Sequence, residues 1–132
     1  MSSSFPEKYR DLLQKKALGA FTTLMPDGSP QTTPVWVDYR DGEIWVNTAV
    51  GRQKDRNVRR DPRVALAIVD PENAYRYVGV RGRVTEITQD GADAHIDQMA
   101  YKYLGLEKYP YRNPSEQRVI FKISIEKTET MG

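Results

Sequence analysis

The dipeptide Asp41-Gly42 constrains the fold of this chain more than any other feature. It separates two runs, Gln31 to Tyr39 and Glu43 to Thr48, that alternate apolar with polar residues. Asp-Gly tolerates the positive φ angles of a two-residue hairpin turn, so the runs are expected to pair antiparallel. Val35, Val37 and Tyr39 share one face of the first strand, with Trp36 and Asp38 opposite. Ile44 and Val46 share one face of the second, with Trp45 and Asn47 opposite.

The same punctuation recurs along the chain. Ala20 to Met25 reads as a short strand, closed by the turn Pro26-Asp27-Gly28-Ser29. Arg63 to Val69 is apolar on both faces, which suits burial within a barrel or a dimer. Tyr75 to Thr88 reads as a long strand in which Gly79 and Gly82 mark bends or bulges. Arg118 to Lys127 closes the chain, with Val119, Phe121, Ile123 and Ile125 facing inward.

Three helical segments interrupt these strands. Residues 1–5 read as a flexible tail. Ser4 to Lys16 contains an opening helix, with capping-box spacing between Ser4 and Glu7. Gly51 to Arg60 is a short helix with almost no apolar face. Asp90 to Leu104 is the main helix, capped by Asp90 and stopped by Gly105. Its stripe is Ile96, Met99, Ala100, Tyr103 and Leu104, and His95 falls beside it as an expected surface residue. Together these elements predict one domain over residues 1–132, mainly β: about six antiparallel strands in a barrel with small flanking helices.

Composition narrows the chemistry. With no cysteine among 132 residues, disulfides, thiolate nucleophiles and zinc–thiolate sites are excluded. The start is not followed by an apolar run, and no stretch approaches the length of a membrane span, so cytoplasm is the expected location. The single histidine and the scattered carboxylates show no metal-ligand spacing, so no metal is expected. No triad or acid/base pair stands out, and the catalytic residues stay unassigned. An enzyme of this kind would rely on a bound cofactor.

The formal net charge is only +2, yet Arg52, Lys54, Arg56, Arg59, Arg60 and Arg63 crowd into thirteen residues against Asp55 and Asp61. Here a strand runs through Asn47 and Thr48 into Gly51 and then a helix N-terminus, an arrangement that favours a phosphate. A solvated basic face is the other reading. Nucleic acid would need a wider basic surface or an aromatic platform, and neither nucleic acid nor membrane is expected as a partner. Thr32-Thr33-Pro34 lies on the hairpin partner of this strand and offers groups for the edge of a planar ring, or is ordinary strand pairing. Tyr75-Arg76-Tyr77 would wall a pocket or pack at a subunit interface. Tyr109, Tyr111 and Arg112 lie in an irregular loop from Leu106 to Ser115 that would serve as a substrate lid.

These segments also carry a family resemblance. Gly19 to Leu24, Asp27 to Pro30 and Thr33-Pro34-Val35-Trp36-Val37 resemble the start of the pyridoxamine-phosphate-oxidase-like flavoproteins. Arg52-Gln53-Lys54-Asp55-Arg56-Asn57 and the residues up to Arg63 are similar to the phosphate-binding signature of a short branch that uses the deazaflavin coenzyme F-420. Tyr77 to Val84 is similar to that branch's next long strand. The resemblance implies a split β-barrel homodimer with cofactor sites at the subunit interface. It implies that Arg52 and Lys54 hold the phosphate with Asn57 nearby, and that Gln31, Thr32, Thr33 and Pro34 line the ring or its side chain. Val50, Gly51 and Gln53 would add contacts, and Tyr75, Arg76 and Tyr77 would close the site from the second subunit. The implied cofactor is coenzyme F-420, with FMN as the alternative. The implied activity is hydride transfer to a small-molecule acceptor such as an enone, a quinone or a tetrapyrrole-like compound, or cofactor carriage without catalysis. The C-terminal substrate segment of the longer pyridoxamine phosphate oxidases has no counterpart here.

Overall fold

The computed structural model describes residues 4–132, and the alternating runs become strands in it. After a 3-10 helix, Glu7–Leu13, come β1 (Gly19–Leu24), β2 (Pro30–Val35), β3 (Asp38–Arg40) and β4 (Glu43–Ala49). Then follow α1 (Gln53–Arg60), β5 (Arg63–Asp70), β6 (Asn73–Thr88), α2 (Ala92–Leu104) and β7 (Arg118–Met131). The strands form one antiparallel sheet in the order β2-β1-β5-β6-β7-β4-β3.

The two edges of that sheet are successive pieces of one segment. Residues 30–35 pair with β1, and residues 38–40 pair with β4. The sheet therefore curls until its edges meet in sequence, a split barrel left open at Trp36-Val37. The expected single strand from Gln31 to Tyr39 divides here, which raises the strand count among the described residues to seven. Its cause is a side chain. The backbone N–H of Val37 donates to the Tyr103 hydroxyl at 3.0 Å instead of to a neighbouring strand. That hydroxyl donates in turn to the carbonyl of Ala17 at 2.7 Å. Burial pushes the Tyr103 pKa up to about 12, so the group stays a donor at neutral pH. Lys102 next to it reaches the carbonyls of Leu13 and Val37, at 2.6 and 2.8 Å. Two adjacent residues of α2 thus tie the opening helix to the break in the barrel.

Both predicted turns form. Asp41 and Gly42 have φ of 54° and 78°, the signature of the mirror-image hairpin turn. Asp27 accepts from the Ser29 backbone N–H at 3.0 Å, beside Gly28. The barrel interior is filled by Phe21, Ile44, Val46, Ile68, Val78, Phe121, Ile123 and Ile125. Phe5, read with the tail, is buried there too, together with Tyr9 and Leu12 of the 3-10 helix. The rest of the tail, residues 1–3, lies outside the described residues. The Ser4–Glu7 capping box does not form, because Pro6 is the N-cap.

A second apolar layer lies outside the barrel. Helix α2 packs Ile96, Met99 and Tyr103 against Trp36 and Tyr109. Gly91, in the left-handed region, is the N-cap in place of Asp90, and Gly105 ends the helix as expected. Leu104 is exposed, whereas His95 is buried at 2% exposure. The stripe runs Ala92, His95, Ile96, Met99, Ala100 and Tyr103, a regular helical spacing into which the histidine fits. The outer face of β5 is not covered: Ala67 and Val69 are exposed. Among the described residues no helix is long and apolar enough to cross a membrane.

Gly82 marks a real irregularity, since the β6–β7 register shifts between Arg81 and Gly82. A Cβ there would stand 2.2 Å from the Ser124 carbonyl oxygen, whereas at Gly79 the closest atom would be 3.8 Å away. Gly82→Ala is expected to destabilise the fold by about 2 kcal/mol or more through overpacking, and Gly79→Ala by much less. Denaturant unfolding of the two variants checks this, and equal midpoints would refute the close approach.

Candidate functional site

The break in the barrel, the end of β4, the start of α1 and the loop after α2 converge on one cleft of about 310 Å3. One wall is aromatic and apolar: Leu18, Pro34, Val35, Trp36, Ile96, Tyr109 and Tyr111. Trp36 stacks on Tyr103 at 5.4 Å, Tyr109 meets Trp36 edge-on, and Tyr111 meets Tyr109 edge-on. The other wall is polar and cationic: Asn47, Thr48, Arg52, Lys54 and Arg118. A ligand with a planar ring and an anionic group matches this division.

The basic block sorts itself once its partners are counted. Arg52 pairs with Glu116 at 3.0 Å, Arg59 with Asp55 at 2.9 Å and Arg63 with Asp61 at 2.7 Å. Arg56 bonds the carbonyl of Gly51 and the side chain of Gln53. Arg60 bonds the carbonyl of Leu24 at 2.6 Å and Asn57 at 3.0 Å. Lys54 alone in the block has no hydrogen bond or ion pair among the described residues. Burial pushes its pKa down, and the neighbouring charges of Arg52 and Arg118 push the same way. A half-buried cation facing two like charges, with no counter-ion, lacks an anion.

A second unmet demand lies beside it. Thr48 is 2% exposed, lines the cleft, and its hydroxyl has no hydrogen-bond partner among the described residues. Buried polar groups are rarely left so. An anionic group in the cleft would satisfy both residues.

Pro34, Thr48, Arg52 and Lys54 line this cleft together. Val50 and Gly51 form the hinge between β4 and α1. Val50 donates to the Gln117 carbonyl at 2.9 Å. Gly51, at φ 91°, donates its N–H to Asp55 at 2.9 Å. Asn57 is buried beneath the helix with its amide filled: Gln53 and Arg60 donate to its oxygen, and its nitrogen donates to Thr23 and the Met25 sulfur. It props α1 against β1. On β2, Gln31 accepts from Thr23 and Thr32 bonds Thr22, whereas the Thr33 hydroxyl is buried without a partner. Tyr75, Arg76 and Tyr77 are not near this cleft in the chain. Tyr77 pairs with Met131, at the far end of β7 from Arg118. The Arg76 guanidinium is bound to Asp11, Asp70 and the carbonyl of Lys8.

Arg118, expected only as the first residue of the last strand, lines the cleft as well. The residue is 8% exposed. Its face of β7 is covered by α2, so Arg118 and Ile120 are buried on the side opposite Val119 and Phe121. No period-2 rule applied to β7 alone could show this. The lid loop is pinned: Asp97 accepts from the Tyr109 backbone N–H at 2.8 Å and from Arg112 at 2.7 Å. The Tyr109 bond, with Arg112 behind it, holds the Asp97 carboxyl below its usual range. A wider depression of about 650 Å3 lies across the outer sheet face near Thr22, Ala65 and Arg81. It is remote from the unpaired lysine and the orphaned threonine. Among the described residues no cluster of three potential ligands could hold a metal ion.

The chain is similar over nearly its whole length to several solved structures. An F-420 reductase shares 31% identity at a TM-score of 0.83, covering 95% of this chain and 98% of that one. The conserved hypothetical protein Rv2991 from Mycobacterium tuberculosis shares 26% identity at a TM-score of 0.73, covering 98% and 86%. General Stress Protein 26 from Bacillus anthracis, at 18% identity and a TM-score of 0.68 over 95% and 92%, shares the fold. Residues 5–132 match the family of pyridoxamine 5'-phosphate oxidase. With its strand order, its split edge and this match over almost every residue, the chain belongs to the pyridoxamine 5'-phosphate oxidase family.

Proposed function

We propose that this protein is a coenzyme F-420-dependent reductase that delivers a hydride to an unsaturated organic acceptor, an enone, a quinone or a tetrapyrrole-like compound. The observation that carries the reading is the unpaired Lys54 beside the orphaned Thr48 hydroxyl, in a cleft whose other wall is aromatic. The similarity to an F-420 reductase over nearly the whole chain supports the choice of cofactor. When bound, the deazaflavin supplies the hydride chemistry.

The chain's own residues do the rest. Lys54, Arg52 and Thr48 hold the anionic group through charge-assisted bonds. The start of α1 adds its positive end. Gln31, Thr32, Thr33 and Pro34 present the open edge of β2 to the ring, and Trp36, Tyr109 and Tyr111 exclude water from it. Val50, Gly51 and Gln53 shape the hinge around the phosphate. Asn57 serves by supporting α1, since its amide has no capacity left for a ligand. FMN is the second reading, favoured by the match to an FMN-type oxidase family.

A homodimer completes this picture. The outer face of β1, β5 and β6 carries Ala20, Ala65, Ala67 and Gly79, small side chains that let a second sheet approach closely. Its rim holds both signs of charge, Arg81 and Glu129, which suits pairing with a copy of itself. The second copy would bring Tyr75 and Tyr77 to the cleft from outside.

Titration of the protein with oxidised coenzyme F-420 and with FMN tests the reading. Tight F-420 binding is expected, and Lys54→Ala should weaken it about ten- to a hundredfold, the loss of one charge-assisted contact. Unchanged affinity in that variant would remove Lys54 as the anchor. Affinity should also fall as pH rises through the alkaline range. The free-state pKa of Lys54 lies below 10.5, and a bound anion raises it, so binding is strongest below the free value and is lost as pH rises through the bound one. Lys54→Arg should flatten that decline. Sedimentation should give a dimer, and Ala67→Arg should yield monomers that bind F-420 more weakly.

A further inference from the structure

Behind the cationic wall lies a chain of polar groups that the function proposed above does not use. Arg118 donates through Nε to the Asn47 amide oxygen at 2.9 Å. The Asn47 amide nitrogen donates to the Ala92 carbonyl at 2.8 Å and lies 3.1 Å from His95 Nδ1. His95 Nε2 lies 2.9 Å from the Asp38 carboxylate. His95 is 2% exposed. Four residues from β3, β4, α2 and β7 are strung into one line that ends at the cleft.

The direction of every bond in this line follows from its ends. A guanidinium only donates and a carbonyl only accepts, so Arg118 and Ala92 together fix which way the Asn47 amide points. With its NH2 toward His95, Nδ1 must accept. The ring proton then sits on Nε2 and is donated to Asp38. Asp38 is held as an acceptor: burial opposes its charge, but the bonds from His95, the Tyr39 N–H and Arg40 outweigh it and keep the carboxyl below its usual range.

We propose that His95 and Asn47 are positioning residues that aim the Arg118 guanidinium into the cleft as an anion contact. Asn47 fixes Nε, and the Tyr109 ring, 5.2 Å from the guanidinium carbon, fixes the plane. These two constraints leave the terminal nitrogens at the cleft wall, where Glu116 stands 3.6 Å from one of them. Without an acceptor at His95 Nδ1, one Asn47 amide hydrogen loses its partner, and the amide, held then only by Ala92 and Arg118, fixes the guanidinium less firmly. The proposal rests on the anion-binding reading of the cleft, not on which cofactor fills it.

The test is a double-mutant cycle with inorganic phosphate and coenzyme F-420 as probes, comparing wild type, His95→Leu, Arg118→Gln and the double variant, with melting temperatures alongside. Phosphate should shift the Arg118 Nε–H resonance of the wild type in a 1H–15N spectrum. His95→Leu should weaken both probes about tenfold and erase that shift. In the Arg118→Gln background the same change should cost less than about twofold, because the two act through one contact. An equal loss in both backgrounds, no loss at all, or a wild-type resonance that phosphate leaves unmoved would each overturn the proposal. If His95→Leu does not fold, His95→Phe replaces it, a ring that has neither the donor to Asp38 nor the acceptor for Asn47. A cycle that holds with phosphate while Lys54→Ala leaves F-420 affinity unchanged would retire the cofactor anchor and keep the positioning line.

Discussion

A single backbone N–H carries much of this architecture. At Val37 the chain leaves the sheet, and the tyrosine of a distant helix takes up the donor that strand pairing would have used. An unmet buried amide would cost a few kcal/mol, so the break exists only because Tyr103 is there to receive it. The same hydroxyl reaches back to Ala17 ahead of β1, and Lys102 beside it binds the carbonyls of Leu13 and Val37. With the break in place, one segment can edge both sides of the sheet. That is what sets Trp36 opposite the end of β4 and opens the cleft between them.

The cleft is built on the same economy. Its floor is a strand end, its cationic wall is the first turn of a helix, and its roof is a loop pinned by Asp97. None of these elements is specialised in isolation. What marks the place is the contrast between groups that are satisfied and groups that are not. Around Lys54 and Thr48, arginines, asparagine, glutamine and Asp55 close their hydrogen bonds with one another. Lys54 and Thr48, both left open, stand together on one wall.

Much of this was legible beforehand. Asp41-Gly42 and Gly28 specify turns by chemistry, and the alternation from Glu43 to Thr48 survives intact because one face of β4 lines the barrel. Lys54, Arg52 and Thr48 stand out in the sequence where a strand runs into a basic helix, and Pro34 on that strand's hairpin partner. What escaped is what depends on the third dimension. His95 looked like a surface residue since histidine counts as polar, yet it completes a buried stripe by bonding Asp38 and Asn47. Arg118 looked like the polar start of a strand, although α2 roofs that half of β7. Tyr75 to Tyr77 stand at the other end of the β6–β7 ladder from the cleft of their own chain. The break at Val37 had no local signal at all, since its cause sits 66 residues away.

The sorting of the basic block has a further consequence. Six cations in thirteen residues read as a broad electrostatic lure, whose grip on any anion would collapse as salt is added. Five of them already have bonds within the chain, and Arg59 and Arg63 meet carboxylates directly. What remains to face a ligand is a few charges set in a partly desolvated wall, where screening ions enter poorly. Ionic strength should therefore matter little to any anion that this cleft takes up.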